Sequence, residues 1–413
     1  MGKFKNIDRR LLTILLIVFV QMVGAAMIMP ILPLYAKSEF KMSPPIITML
    51  VTAFFAAQFV AGPYLGRFSD KYGRVPVLIV SQIGTAVSFV MLGAAPGVWM
   101  LFFARILDGI TGGNIIVAQA YITDITPREK RTESLGYVFA VFGLGFIIGP
   151  ALGATLSAAF GTRFPYYLAA AAALLVVVLT WLTLDETLSP EQRMANRNFK
   201  KESIGLVQIF RNSSLMLILI IVFIGQFGMG LLQATFALFG EEVLFADFSL
   251  QMATIGVGVM LTIVGVGQFI TQAALLPRAL KLLDEAWLVV IGLSIRTLGL
   301  LGFSLFAVPI VGAFSALFFA MGVGLMMPPL QSLSTNTVAD ELRGGVLGVY
   351  QSTISLSTIA STFIAGTIYL WDPTYPFFVG AFLSFVVLGP ALLLVRRTGA
   401  GRKHASKETA VFP

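Results

Sequence analysis

Cysteine is absent, and His404 is the single histidine. Disulfides, thiol nucleophiles and cysteine metal sites are therefore unavailable. Histidine-based zinc sites and Ser-His-Asp triads are excluded as well. Charge is also scarce. Asp, Glu, Lys and Arg make up 12% of the 413 residues, against about 25% in soluble domains. No Gly-rich loop runs into Lys-Ser or Lys-Thr, so direct use of ATP has no basis in the sequence. What is abundant is apolar: 57% of the chain. A chain that apolar cannot hide its surface from water, so it is read as an integral membrane protein. Its 40 Gly and 19 Pro suit membrane helices, where both are frequent.

About 20 apolar residues cross a bilayer as a helix. Twelve such runs are present: 11–35, 45–66, 75–94, 98–122, 133–159 and 164–184, then 213–240, 250–276, 286–307, 309–332, 343–369 and 374–396. The runs are continuously apolar rather than alternating, which argues against a β-barrel. The first run is too long for a signal peptide and no small-residue cleavage site follows it, so it is expected to stay as span one. With the N-terminus inside, the outer loops hold only Lys37, Lys41 and Arg163. Arg105 and Arg296 lie within spans, and all other Lys and Arg fall inside. That bias places both termini in the cytoplasm. It also explains the net charge of +8 without nucleic acid as a partner.

The polar stretch Asp185–Arg211 divides the spans six and six and reads as a plain cytoplasmic linker, with a regulatory or lipid-headgroup contact as the alternative. The halves repeat. Gln119, Thr123, Glu129 and Arg131 align without gaps on Gln331, Thr335, Glu341 and Arg343. Thr52, Gln58-Phe59 and Leu65 match Thr262, Gln268-Phe269 and Leu275. A parallel repeat of six spans is the plan of a secondary transporter. The expected fold is an all-α membrane protein with twelve transmembrane helices in two pseudo-symmetric six-helix bundles. The bundles take residues 1–185 and 213–398, joined by a linker at 186–212 and followed by a cytoplasmic tail at 399–413.

Three motifs carry a family resemblance. Gly66-x-x-x-Asp70-x-x-Gly73-Arg74, between spans two and three, is similar to the loop motif of the major facilitator superfamily. Arg105-Ile-Leu-Asp-Gly109 resembles its fourth-span motif. Gly145-Phe-Ile-Ile-Gly149-Pro150-Ala-Leu-Gly153 resembles the fifth-span pattern of the drug–proton antiporter branch, and Asp185-Glu-Thr-Leu188 sits where that branch often ends span six. From Gly66 to Leu188 the chain reads like the tetracycline efflux proteins. Those proteins carry acids in spans one, three and nine. Here the corresponding places hold Gln21, Ser88 and a position at or beside Arg296. The resemblance implies alternating access driven by a proton gradient, with no cofactor, no metal and no catalytic residue.

A charge at the bilayer centre costs roughly 3 kcal/mol on insertion scales and is usually paired or functional. Arg105 and Asp108 share a helix face near the midplane of span four, being three residues apart. Asp108, the only deep carboxylate, is the candidate for proton coupling; the alternative is a static ion pair that supports Arg105. Arg296 is expected to pair with Asp108, to receive an anionic substrate group, or to snorkel to an interface. Gln21, Asn114, Gln233 and Phe236 complete the expected substrate cavity, each weighed against a packing role. Gly145, Gly149 and Gly153 permit close helix crossing, with Pro150 bending the helix. Glu241 and Glu242 are expected to form a solvated helix end rather than a gate.

The stretch Gly66–Pro76 reads as a short charged hinge and, by resemblance, as a conformational latch. Asp70 is expected to face a helix N-terminus such as that of span eleven, and Arg74 to reach Asp124, with Arg131 near. The leading reading is a monomeric, multi-pass transporter of the cell membrane that exports lipophilic small molecules in exchange for protons. The alternatives are a lipid or lysolipid flippase of the same fold, or a non-transporting membrane receptor.

Overall fold

A computed structural model describes residues 9–112, 114–127, 130–196, 211–338 and 342–397. Among them there is no strand, and twelve helical spans are long and apolar enough to cross a membrane. The helices are α1 Arg9–Phe40, α2 Pro44–Tyr72, α3 Arg74–Gly93, α4 Val98–Thr111, α5 Asn114–Ile125, α6 Arg131–Phe160, α7 Phe164–Thr183 and α8 Pro190–Asn196. After residue 211 come α9 Ser213–Phe239, α10 Leu250–Ile270, the short α11 Leu276–Ala279, α12 Glu285–Leu305, α13 Pro309–Thr335, α14 Arg343–Trp371 and α15 Tyr375–Val386. Wide π turns at Gly240–Leu244 and Thr271–Leu275 extend α9 and α10. Span four is α4 and α5 together, interrupted after Thr111.

All four tryptophans of the chain lie within a turn of a span end and are exposed: Trp99, Trp181, Trp287 and Trp371. Such rings settle at membrane–water boundaries, so they mark where each span leaves the hydrocarbon. Exposed Val60, Phe103, Leu175, Ile310 and Phe385 lie along the apolar helix flanks. Lipid is the solvent that suits them.

The chain forms two compact units, residues 1–200 with 234–265 and residues 201–233 with 266–413. In the first, α1 packs along α6 and α7, and α4 packs between α2 and α3. Ile14 and Ile17 of α1, Leu78 of α3, Tyr121 of α5 and Val176 of α7 close its core. In the second, α12 packs along α13 and α15, and Ile221, Leu293, Met326 and Val387 fill its centre.

The glycines of α6 serve packing on two sides. A Cβ at Gly145 would sit 2.6 Å from Met22 Cβ, and one at Gly149 would sit 2.6 Å from Ala26 Cβ. A side chain at Gly153 would strike Met27. Glycine thus lets α1 lie on the α6 backbone. On the other side α10 answers with its own small residues. A Cβ at Gly258 would lie 2.9 Å from the Pro150 carbonyl oxygen, and Thr262 Oγ1 donates to the Ile147 carbonyl at 3.0 Å. Pro150 lacks an N–H and so leaves the carbonyl four residues earlier, Phe146, without its helical donor. Gly265 is the residue packed against that carbonyl.

Candidate coupling and latch sites

The stretch Gly66–Pro76 is helical through Tyr72, which corrects the expectation of a hinge loop. Only Gly73 breaks it, with φ of +110°, between the end of α2 and the start of α3. An i, i+4 ion pair makes the charged run compatible with helix: Arg74 Nη1 stands 2.7 Å from Asp70 Oδ1. Asp70 therefore has a partner in the motif itself. Arg74 Nε also donates to Asp124 Oδ2 at 3.0 Å, and Nη1 to the buried Ser69 hydroxyl at 2.6 Å. Ser69 in turn donates to the Gly66 carbonyl at 2.8 Å. One nearly buried guanidinium thus ties the end of α2 to the end of α5. The side chains of Arg131 and Asn114 lie outside the described residues.

Glu186 is the member of this cluster that the sequence did not bring into it. Its carboxylate accepts from the backbone N–H groups of Arg74 at 3.0 Å and Val75 at 3.2 Å. Those are orphan donors at the positive N-terminus of α3, where an anion is stabilising. To reach them the carboxylate passes over the Cα of Gly73, and any Cβ there would collide with it. Glycine is needed at Gly73 twice, for the positive φ and for that approach. Arg193 of α8 pairs with Glu186 at 3.7 Å and donates to the Tyr72 carbonyl at 3.3 Å. Thr187 donates to Asp124 at 3.0 Å. The opening of the Asp185–Arg211 stretch is therefore bonded to the ends of α2 and α5 and the start of α3.

Arg105 and Asp108 form a pair at 2.7 Å, each about a tenth exposed at the side chain. Phe54 of α2 places its ring 4.2 Å from the Arg105 guanidinium carbon. α2 comes this close because Gly109 has no side chain; a Cβ there would lie 2.8 Å from Ala57 Cβ. The Ser88 hydroxyl of α3 faces the Asp108 carboxylate and donates to the Thr85 carbonyl at 2.7 Å. Below the pair, Thr85 and Thr111 hydroxyls meet at 3.3 Å. Gln58 Nε2 donates to the Gly112 carbonyl at 3.3 Å, where α4 is interrupted. Among the described residues Asp108 is the only buried carboxylate.

Asp108 thus has its counterion one turn away on its own helix. Arg296 has none: its Nε, Nη1 and Nη2 are buried without a hydrogen-bond partner, and the residue is 0% exposed. The expected Arg296–Asp108 pair is not made. Snorkelling is ruled out too, because the side chain turns into the helix bundle of its own unit. Phe319 offers it a ring face at 5.6 Å.

Gln21 lines a small cavity in the first unit, with Gly24, Gln82, Thr85, Phe89 and Ala169 among its walls. Gln82 accepts from Thr180 at 3.0 Å, while its Nε2 has no partner. Gln233 is half-buried and Phe236 is buried. Glu241 and Glu242 are not a solvated end. Lys37 of α1 stands between them, 2.6 Å from Glu241 and 2.9 Å from Glu242. The π turn presents two neighbouring carboxylates to one ammonium, an arrangement that helical spacing in the sequence does not signal.

The family model described as Major Facilitator Superfamily matches residues 14–272 and 223–412. The chain is 30% identical to the class H tetracycline resistance protein of Pasteurella multocida, covering 95% of this chain and 98% of that one. It is 30% identical to multidrug resistance protein 1 of Bacillus subtilis over 97% and 99% of the two chains. A solved nucleoside transporter superposes with a TM-score of 0.79 at 14% identity, over 94% of this chain and 100% of that one. A solved peptide transporter gives 0.78 at 14% identity, over 97% and 96%. With twelve spans and these relatives, the molecule is a multi-pass membrane transporter rather than an enzyme, and it belongs to the major facilitator superfamily.

Proposed function

We propose that this transporter exports lipophilic small molecules in exchange for protons by alternating access, with Asp108 as the proton-carrying group. The observation that carries the reading is the buried Arg105–Asp108 pair with Ser88 beside it. In the tetracycline efflux resemblance span three bears an acid, and Ser88 stands in that place here. Ser88 faces Asp108 across the α3–α4 contact, so the carboxylate is retained at the same locus but supplied by the neighbouring helix. Protonating Asp108 removes the charge that holds Arg105 and leaves the guanidinium to the Phe54 ring. Deprotonation restores the pair. A proton thereby changes how α4 is held against α2 and α3. Relatives named for tetracycline and multidrug resistance support a drug-like cargo.

In this reading Gln21, Asn114, Gln233, Phe236 and Arg296 contact the substrate. Gly66, Asp70, Gly73, Arg74, Asp124 and Arg131 form a latch that governs movement. Gly145, Gly149, Pro150 and Gly153 provide the close helix crossing of the antiporter branch. The protein acts as a monomer of two six-helix bundles in the cell membrane, with both termini cytoplasmic and the proton gradient as its energy source.

Uptake of a fluorescent lipophilic drug into everted vesicles, under an imposed pH gradient, tests this. Wild-type uptake is expected to collapse when the gradient is dissipated. Asp108→Asn is expected to lose gradient-driven uptake while still binding drug. Gradient-dependent uptake at the wild-type rate in Asp108→Asn would overturn the assignment.

A further inference from the structure

We propose that the second unit contains a buried anion site built on Arg296, which takes one small monovalent anion, either a carboxylate group or a halide. Arg296 is 0% exposed and all three guanidinium nitrogens are buried without a partner. A guanidinium does not give up its proton in a protein. Left alone in a low-dielectric interior, it bears a desolvation cost that only an opposite charge and hydrogen bonds offset. The same chain shows what it does with a buried arginine whose partner it encodes: Arg105 has Asp108 at 2.7 Å.

Among the described residues, no helix of the second unit encodes such a partner for Arg296. Helices α9, α13, α14 and α15 contain neither Asp nor Glu. α12 contains only Glu285, in its first turn, where it accepts from Ser332 at 2.7 Å. The counter-charge that the described helices of the second unit do not supply can come from a ligand.

The walls fit one. Gly225 and Gly228 of α9 present bare backbone to the guanidinium, and a Cβ at Gly228 would strike Nη2. A Cβ at Gly225 would lie 3.5 Å from Nη1 and 3.2 Å from the Met326 Cε. The movable neighbour of Nη1 is thus a thioether arm, an unbranched side chain that re-packs readily. In the internal repeat the matching locus of the first unit holds a small cavity. Gly24, Thr85 and Ala169 lie as many residues into α1, α3 and α7 as Gly228, Arg296 and Gly380 lie into α9, α12 and α15. In the first unit those three residues line the small cavity beside Gln21, a neutral one with two amides. In the second, the position of Thr85 carries a fixed positive charge and that of Ala169 is stripped to glycine. The repeat has turned a neutral cavity wall into an anion receptor.

This deepens the reading of Arg296 as a ligand contact, yet its test asks for binding alone and holds whether or not drug is exported. The purified full-length protein in neutral detergent is unfolded thermally at constant ionic strength in sodium sulfate, with sulfate replaced stepwise by chloride or by acetate. A saturable rise of about 3 °C or more is expected in wild type, and none in Arg296→Met. A response to chloride alone assigns the site to a halide. A response to acetate alone assigns it to a carboxylate-bearing ligand, and a response to both assigns it to the shared charge. An equal response in Arg296→Met, or none in wild type, overturns the site. A bromide-soaked crystal of the unmodified protein gives a readout independent of that variant's folding. Anomalous density in contact with the guanidinium supports the proposal, and density only elsewhere together with no response to acetate defeats it.

Discussion

Arg105 and Arg296 are both buried, and what separates them is the residue one turn on. Asp108 follows Arg105 at i+3 and pairs with it, whereas Gly299 follows Arg296 and lets Phe319 pack close. The pair was legible in the sequence because a spacing of three on a helix fixes a shared face. Its setting was not, since Phe54 and Ser88 come from α2 and α3 and no local pattern relates them to Asp108. Stability and coupling must be separated at this site. Asp108→Asn leaves Arg105 buried without a counterion, which should cost about 3–5 kcal/mol. A loss of transport in that variant alone would be ambiguous. The double variant Asp108→Asn with Arg105→Gln removes both charges. It is expected to recover most of the lost thermal stability while proton-driven uptake stays absent. Recovery of uptake along with stability would show the pair to be a structural strut.

At the scale of the element, the spans were readable and their ends were not. Twelve apolar runs correspond to twelve helical spans, because only length and composition are needed to cross a bilayer. Gly66–Pro76 read as a hinge because charge interrupts apolarity there. Asp70 instead pairs with Arg74 across the end of α2. What ends the helix is Gly73, and what makes the new start at Arg74 stable is Glu186. That cap comes from 112 residues further along the chain, beyond the reach of any local signal. Glu186→Gln should cost about 1 kcal/mol as a weakened cap. Gly73→Ala should cost as much or more, because it strains the backbone and drives the same carboxylate away. As both act on one cap, the double variant should cost clearly less than the sum of the singles. Additive losses in thermal unfolding would mean that Gly73 and Glu186 act separately.

At the scale of the whole molecule, alternating access needs contacts that form in one state and break in another. The Lys37 clasp has the right composition for such a contact. One ammonium serves two adjacent carboxylates, so the cluster keeps a net charge of −1 while closed. All three side chains are between a fifth and a third exposed, which keeps the energy of each pair small and the clasp reversible. Lys37→Met removes the ammonium and leaves Glu241 and Glu242 to repel each other. The contact between α1 and the π turn should then open more often. Natural cysteine is absent, so a single cysteine reports without background. Ala36, next to Lys37 on α1, is fully buried. In an Ala36→Cys background, Lys37→Met should raise the labelling rate by a membrane-impermeant maleimide several-fold, and Lys37→Arg should hold it near the starting value. Restoring a cation restores the clasp only if charge is what closes it. Equal labelling rates with Met and with Lys at position 37 would mean that packing alone keeps Ala36 covered, and the gate would have to be sought among the helix crossings instead.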